Sequence, residues 1–386
     1  MTAEPTILIV GAGVFGASTA YHLANQYQDG SKITVVDQTE PSPDLAASTD
    51  INKIIRADYS SAFYAELAYK AMDAWAGWSE LRDHYHRTGW IMLDTEDSDL
   101  ADRIRKVFKL RGQDPTKDIA LDELDDHWKG ILQGTNLEGF GKAYWNPEAG
   151  WCDASAATAS IMNAALARAV KGVSTIGGRE LTADKIVLAT GAWTSSLMSP
   201  VEDHLNIVEK DRVERQVSAA GVAVVQYKMS ESEMDQLSDM PVVVYGEHGE
   251  VIPPPKENRL LKYTNSNTFM NTITTSSGHR ISVPPNRDQH IAPARLKKEA
   301  IEAMSSQVMP NFTQAGAMEA DYWRLCWDAY TPTQDWLLCK HTHPALNNLY
   351  FATGGSFHSY KFLPIIGKYM TNVLSGTGNG AEKDRA

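Results

Sequence analysis

Residues Thr6-Ile-Leu-Ile-Val10 run straight into Gly11-Ala-Gly13-Val14-Phe15-Gly16, and the reading of this stretch decides the fold. Five β-prone residues predict a strand that ends in a glycine turn. Ala17, Ala20, Leu23 and Ala24 follow at helical spacing, and a second apolar run, Ile33-Thr-Val-Val36, stops at Asp37. Strand, glycine turn, helix, strand and acid together make a dinucleotide-binding unit. Gly11 allows the tight turn, Gly13 lets the backbone approach a pyrophosphate, and Gly16 lets helix and strand pack closely. The phosphates sit on the helix N-terminus, where free N–H groups favour negative charge. Asp37 accepts hydrogen bonds from the adenosine ribose. The motif by itself leaves FAD and NAD both open.

The surrounding composition bounds the rest. A chain of 386 residues, 43% hydrophobic and with a net charge of −12, predicts about two domains and no nucleic-acid partner. No apolar run reaches the roughly 18–20 residues of a membrane helix, so no membrane partner is expected. The chain enters its first strand almost at once and ends Lys-Asp-Arg-Ala rather than Ser-Lys-Leu, which predicts a cytoplasmic protein without signal peptide or peroxisomal address. Cys152, Cys326 and Cys339 are too few and scattered for a disulfide framework or a zinc site, and no metal is expected. Without a heptad pattern or a long amphipathic interface helix, the expected state is a monomer.

Along the chain, helices are expected over Ser61–His84, Asp97–Leu110, the alanine-rich Ala154–Val170, Ala294–Val308 and Pro364–Leu374, with another short helix over Asp122–Trp128. Strands are expected at Gly89–Leu93, Lys185–Ala189 and Asn348–Ala352. The second of these ends in Thr190-Gly191, where a backbone can approach a cofactor. From about Asn206, the runs Val217–Tyr227, Val242–Tyr245, Gly249–Pro253 and Arg259–Thr264 predict an antiparallel sheet outside the nucleotide unit.

Three further blocks carry a resemblance: Ala47-Ser48-Thr49-Asp-Ile-Asn-Lys53-Ile-Ile-Arg56-Ala-Asp-Tyr59, Arg324-Leu-Cys326-Trp327-Asp-Ala-Tyr-Thr331-Pro332, and Gly354-Gly355-Ser-Phe-His358-Ser-Tyr-Lys361-Phe-Leu-Pro364. With the glycine turn they resemble the FAD-dependent amine oxidases related to monomeric sarcosine oxidase and the fungal fructosyl amino acid oxidases (amadoriases), and more the latter branch. The resemblance implies an α/β (α+β overall) fold: a Rossmann-like FAD-binding domain of the glutathione-reductase/D-amino acid oxidase type beside a smaller substrate domain with an antiparallel sheet. It implies FAD rather than NAD. A discontinuous FAD domain is expected over 1–85, 140–205 and 325–386, with 86–139 and 206–324 forming the substrate domain.

The resemblance also implies roles. Cys326 occupies the position of a thioether to the flavin, where the ordinary reading is a buried inert cysteine. Lys262 matches a lysine over the flavin N5 edge that stabilises developing superoxide, and Lys361 one that holds a substrate carboxylate. His358 matches a histidine close to the flavin. Lys53 and Arg56 match basic residues facing flavin or substrate. Gly11, Gly13, Val14, Phe15, Gly16, Asp37, Ser48, Thr49, Lys53, Gly191, Cys326, Gly355 and Lys361 are the implied cofactor contacts. The implied reaction is oxidation of a secondary amine, an N-substituted and in some relatives N-methyl amino acid, by hydride transfer to flavin N5; an imine forms and O2 becomes H2O2. Deglycation by a fructosyl amino acid oxidase, a flavin amine dehydrogenase with another acceptor, and a cofactor-binding but inactive protein are the alternatives. Two departures matter. Ser266 stands where the fructosyl amino acid oxidases carry an acid, four positions after Lys262, which argues against a glycated substrate. The stretch Val170–Lys185 is short, implying a trimmed meander beside the FAD adenine.

Overall fold

The apolar run at the start forms strand β1 (Ile7–Val10), which pairs in parallel with β2 (Ile33–Val36) on one side and with Lys185–Leu188 on the other. Its flanks are therefore hydrogen-bonded throughout, and its side chains are buried with Ile7 and Ile9 in the core. Leu349–Thr353 extends the parallel array, Leu337–Lys340 closes that edge antiparallel, and Lys171–Val173 lies parallel beside β2. The computed structural model describes residues 4–40, 42–168, 171–173, 180–285, 288–316 and 320–380. The expected trimmed meander and the polar C-terminal tail therefore fall partly outside the described residues, at 174–179 and 381–386.

Helix α1 (Val14–Gln26) follows the turn directly. Gly11 has φ +106°, and a Cβ there would lie 2.3 Å from the Ala189 carbonyl oxygen; a Cβ on Gly16 would lie 1.8 Å from the Gly11 carbonyl oxygen. Only glycine fits either place. Gly16 thus packs α1 against the turn itself. The C-terminal helix Ile366–Ser375 returns to lie on α1, with the Gly367 N–H donating to Ser18 Oγ at 2.7 Å. This contact brings the last block of sequence back to the first.

Eight strands form a second sheet, running in order from Ala320–Tyr330 through Ser218–Lys228, Leu260–Asn265, Gly249–Ile252, Val242–Tyr245, Trp90–Thr95 and Phe140–Asn146 to Lys117–Ile119. The sheet is antiparallel apart from one parallel pair, Val242–Tyr245 with Trp90–Thr95. One face is a core of Ile91, Leu93, Val225, Val243, Val251, Leu261 and Tyr263. The alternate residues point the other way, toward the nucleotide-binding sheet, as period-2 alternation requires. By sheet membership Phe140–Asn146 and all of Ala320–Tyr330 join this layer. We propose the domain division with those two strands on the substrate side.

Most elements lie within a few residues of their expected places; three helices end earlier than periodicity alone suggests, while Leu100–Arg111 and Ile366–Ser375 run one residue past their expected ends. Ala62–Gly77 stops at a glycine and resumes only as the short turn Arg82–His84. The alanine-rich helix covers Ala154–Leu166, and Ala294–Ala303 loosens into a π-helical turn over Met304–Val308. Trp75 is fully buried and donates its indole N–H to the Lys361 carbonyl at 2.7 Å, so this core aromatic also fixes the turn that carries a site residue. Among the described residues no helix is long and apolar enough to cross a membrane.

Substituting Gly16→Ala forces a methyl group into the Gly11 carbonyl, and overpacking of this kind costs about 1–3 kcal/mol. We expect a lower urea midpoint for the variant with an unchanged m-value; equal midpoints would show that the turn relaxes freely.

Candidate active site

Register alone places the substrate-side residues. Across antiparallel partners, Val222 faces Cys326, Val224 faces both Arg324 and Thr264, Glu250 faces Thr264, and Lys262 faces Gln226 and Ile252. The rows continue through Val244 and Met92 to Tyr144, and from Val242 through Trp90 to Asn146. Directly opposed residues share a face, so Cys326, Arg324, Lys262, Thr264, Glu250, Trp90, Tyr144 and Asn146 all project from the side opposite the apolar core. Against that side lies the segment 47–59. It contains the short strand β3 (Lys53–Ile55), which pairs with Gly150–Cys152.

Asp50 joins the two layers. Its Oδ2 accepts from Lys262 Nζ at 2.7 Å and lies 3.0 Å from Lys53 Nζ, and both Asp50 and Lys262 are 1% exposed in their side chains. Lys262 also donates to the Asn52 carbonyl at 2.8 Å. Burial opposes the Asp50 charge, yet Lys262 and then Lys53 hold its carboxyl well below the usual range. The two lysines respond differently. Burial, with Lys53 nearby, pushes Lys262 down despite Asp50. For Lys53, burial is outweighed by the Cys326 sulfur, 3.8 Å away, and by Asp50, which together raise it. Arg324 fastens the same segment, donating to the carbonyls of Thr49 and, at 2.7 Å, Ala46.

Lys361 sits at the other end. It is 5% exposed, donates to the His358 carbonyl at 2.6 Å and to the Tyr59 hydroxyl at 3.0 Å, and has no ion-pair partner among the described residues. Burial, with Arg56 beside it, pushes its ammonium well below the ordinary lysine range. Tyr59 in turn lies 3.0 Å from His358 Nδ1, and His358 Nε2 lies 2.8 Å from the Gln334 carbonyl. A carbonyl only accepts, so Nε2 carries the proton and Nδ1 accepts from Tyr59. Burial, and then Lys361 and Arg56, lower His358 to about 4, and the ring is neutral at pH 7. Arg56 stacks its guanidinium 4.4 Å from the Trp90 ring and 4.9 Å from Tyr59. It donates to the Asp58 carbonyl, and the buried Asp58 carboxyl, held by Tyr144 at 3.0 Å and Asn146 at 2.8 Å, is raised by burial to about 6.

A cavity of about 270 Å³ brings together Val14, Ser48, Lys53, Arg56, Cys326, Gly355, His358 and Lys361, which were expected at the site, with Glu250, Thr264 and Ser266 from the sheet. Lys262 lies beneath its wall, in contact with Asp50. Phe15 turns away into the core, where its ring meets Trp336 edge-on at 6.4 Å. The Thr49 hydroxyl is taken up within its own loop by the Pro43 carbonyl at 2.5 Å. Gly191, at φ +51°, opens the turn after Lys185–Leu188. Asp37 accepts from the Ala12 N–H at 2.6 Å and so braces the glycine turn. A larger cavity of about 400 Å³ lies between Ala62–Gly77, Leu337–Lys340 and the last helix; Cys339 lines it, and the site residues do not. Burial raises the Cys152 and Cys339 thiols, as suits inert structural cysteines.

The residues present fit a dinucleotide. Helix α1 follows its N-cap Gly13 with neither a side-chain cap nor an acid in its first turn, so its N–H groups are left for an anion. The Ser48 hydroxyl is buried without a hydrogen-bond partner, and it lies 3.2 Å from where a Gly13 Cβ would be. Sequence reasoning missed Asp50, Tyr59 and Glu250. The first two stand inside a block it had singled out, but with no lone signal; Glu250 sits in a β-prone run, and only sheet register shows that it faces the site.

Residues 6–373 match a family model described as FAD dependent oxidoreductase, DAO. L-saccharopine oxidase of Schizosaccharomyces pombe is 25% identical over 98% of this chain and 92% of its own length. Monomeric sarcosine oxidase of a Bacillus species is 23% identical over 97% and 93%. The crystal structure of the fructosamine oxidase Amadoriase II from Aspergillus fumigatus superposes with a TM-score of 0.83 at 24% identity, covering 99% of this chain and 89% of that one.

Asp50→Asn leaves two buried ammonium groups without their carboxylate, and breaking such a pair costs about 3–5 kcal/mol. Because the folded carboxyl lies well below its unfolded value of about 4, its contribution is full above that pH and is lost progressively as pH falls from there through the folded value. The variant's deficit in urea midpoint should be full at pH 7 and shrink toward pH 3. A deficit independent of pH would refute the charge role.

Proposed function

The chain belongs to the FAD dependent oxidoreductase (DAO) family, and from that premise we propose that it is an oxidase of secondary amines, acting on the CH–NH group of N-substituted amino acids, N-methyl ones among them, with O2 as acceptor. The observation that carries this reading is the cavity that Lys361 and Arg56 line without an ion-paired acid and that Cys326 also lines. FAD, when bound, would supply the redox chemistry, acceptance of a hydride equivalent from the carbon next to nitrogen and reoxidation by O2, with an imine and H2O2 as the products.

The residues of the chain bind, orient and set charge. Gly11, Gly13, Gly16 and Asp37 would hold the nucleotide end, while Val14, Ser48, Lys53 and Gly355 would flank the ring. Cys326 would tether it through its sulfur. Lys361, with help from Arg56, would take the substrate carboxylate. An ammonium destabilised by burial gains most from an arriving anion, because the opposite charge favours its protonated form. Tyr59 and the neutral His358 fix its Nζ, so the carboxylate is held in one place and the C–H bond is presented in one orientation. Lys262 uses two of its three donors on Asp50 and Asn52. Its third can face the oxygen side, where a fixed positive charge stabilises developing superoxide. The names of the relatives support this class of substrate: a saccharopine oxidase and a sarcosine oxidase act on secondary amines. Ser266 at the position of the deglycating enzymes' acid makes fructosyl amino acids the weaker reading. We also propose a monomer.

A peroxide assay over sarcosine, N-methyl amino acids, saccharopine and fructosyl-valine tests the class: oxidation of at least one non-glycated secondary amine is expected, and turnover of fructosyl-valine alone would overturn it. After acid precipitation the yellow colour should stay with the protein and be released by Cys326→Ser; a colourless wild-type pellet refutes the tether. Lys262→Met should slow flavin reoxidation by at least about 100-fold, in the range of removing one electrostatic stabiliser, with a far smaller effect on reduction. Equal effects on both half-reactions in stopped flow would exclude the oxygen role.

A further inference from the structure

The cavity is not uniformly basic. Of the two carboxylates that line it, Asp328 is already satisfied by the backbone N–H groups of Phe357 and Ala329, each at 2.7 Å. Glu250 is different. It is half-buried, and among the described residues its carboxylate has neither a hydrogen bond nor an ion pair. Its neighbour in register, Thr264, points a buried hydroxyl into the same wall, also without a partner. Ser266 and Thr268 extend this wall at two-residue spacing. One carboxylate beside a row of hydroxyl groups makes an acceptor site, and it faces the same cavity as the basic pair Lys361 and Arg56.

We infer that Glu250 is a second recognition point, and that the substrate carries an alkylammonium group at the end away from its carboxylate. An ammonium has three donors and no acceptor, which matches one carboxylate flanked by hydroxyl oxygens. A half-buried carboxylate without a partner gains from such a cation, and charge-assisted hydrogen bonds are the strong ones. The opposed charges of the two recognition points would also select against a substrate bound backwards, since a carboxylate near Glu250 meets like charge. This rests on the proposed secondary-amine reading and narrows it to amines derived from a basic amino acid.

The test uses the FAD-loaded protein and two ligands that cannot be oxidised as secondary amines, 6-aminohexanoate and hexanoate, with affinity read by calorimetry. Wild type should bind 6-aminohexanoate on the order of 10- to 100-fold more tightly, the range expected of one charge-assisted hydrogen bond. Glu250→Gln should bring the ratio of the two affinities close to one, and Glu250→Lys should turn the preference toward adipate. Equal wild-type affinities, binding of neither ligand, or a preference that survives Glu250→Gln would overturn the assignment. Peroxide release from any non-glycated secondary amine of the panel would in those cases leave the broader secondary-amine reading standing, and its absence across the panel would sink that reading separately.

Discussion

The buried carboxylate of Asp50 is the constraint on which the rest of the site depends. It lies at the seam between the segment 47–59 and the eight-stranded sheet, and it binds a lysine from each side. Removing three charges from water is costly, and a buried ion pair is seldom favourable against an apolar replacement of the same size. Its effect here is positional. Lys262 comes from a strand paired on both sides, so its ammonium has little freedom, and Asp50 ties the otherwise irregular loop to that fixed point. Arg324 holds the same loop through its carbonyls one turn earlier. The cavity wall formed by Ser48, Lys53 and Arg56 thereby acquires a defined place over the sheet.

Local signals survive from sequence to structure where the physics is local. The turn Gly11–Gly16 needs glycine because of atoms within its own βαβ unit, so spacing alone identified it, and the strands around it follow from short apolar runs. Cys326, Lys262, Lys361, Lys53 and Arg56 came from blocks of residues rather than from any property of each residue alone, and the fold brings all five to one place. What sequence could not show is non-local. Glu250 and Thr264 become neighbours only through strand register, and Tyr59 meets His358 across almost the full length of the chain. Phe15 shows the converse: its helical position turns the ring toward Trp336, so only its backbone is left to face the phosphate turn. Where a helix ended early, the reason is equally local and one that a periodicity count ignores, such as Gly77 in the last turn of Ala62–Gly77.

The sheet face gives the two layers a division of labour. Period-2 alternation sends Val225, Val251, Leu261 and Tyr263 into the core and their neighbours Val224, Glu250, Lys262 and Thr264 toward the cofactor layer. Each charged residue on that face is then adjacent along its strand to a buried apolar anchor. Rotating or sliding a strand by one residue would bury Lys262 in the apolar core and expose Tyr263. Register is thus protected by the same hydrophobic pattern that stabilises the sheet, and the site inherits its precision from the core behind it.

Charge balance explains why this precision is needed at Lys361. Lys262 and Lys53 share Asp50 and are settled before any ligand arrives, whereas the hydrogen bonds and ring contacts of Lys361 and Arg56 are to neutral groups, carbonyls, a tyrosine hydroxyl and aromatic rings, and the Glu250 and Asp58 carboxylates act on Lys361 only without contact. Neutral donors and acceptors can aim an ammonium without cancelling its charge. The folded chain therefore carries a cation that burial and Arg56 disfavour more than Glu250 and Asp58 relieve it, and an anion arriving in contact adds relief that appears as binding. The same logic holds with opposite sign at Glu250, so the two points on the cavity wall differ in the contact charge they lack. A ligand that supplies both at the right separation satisfies the site, and one that supplies a single charge leaves the other point uncompensated.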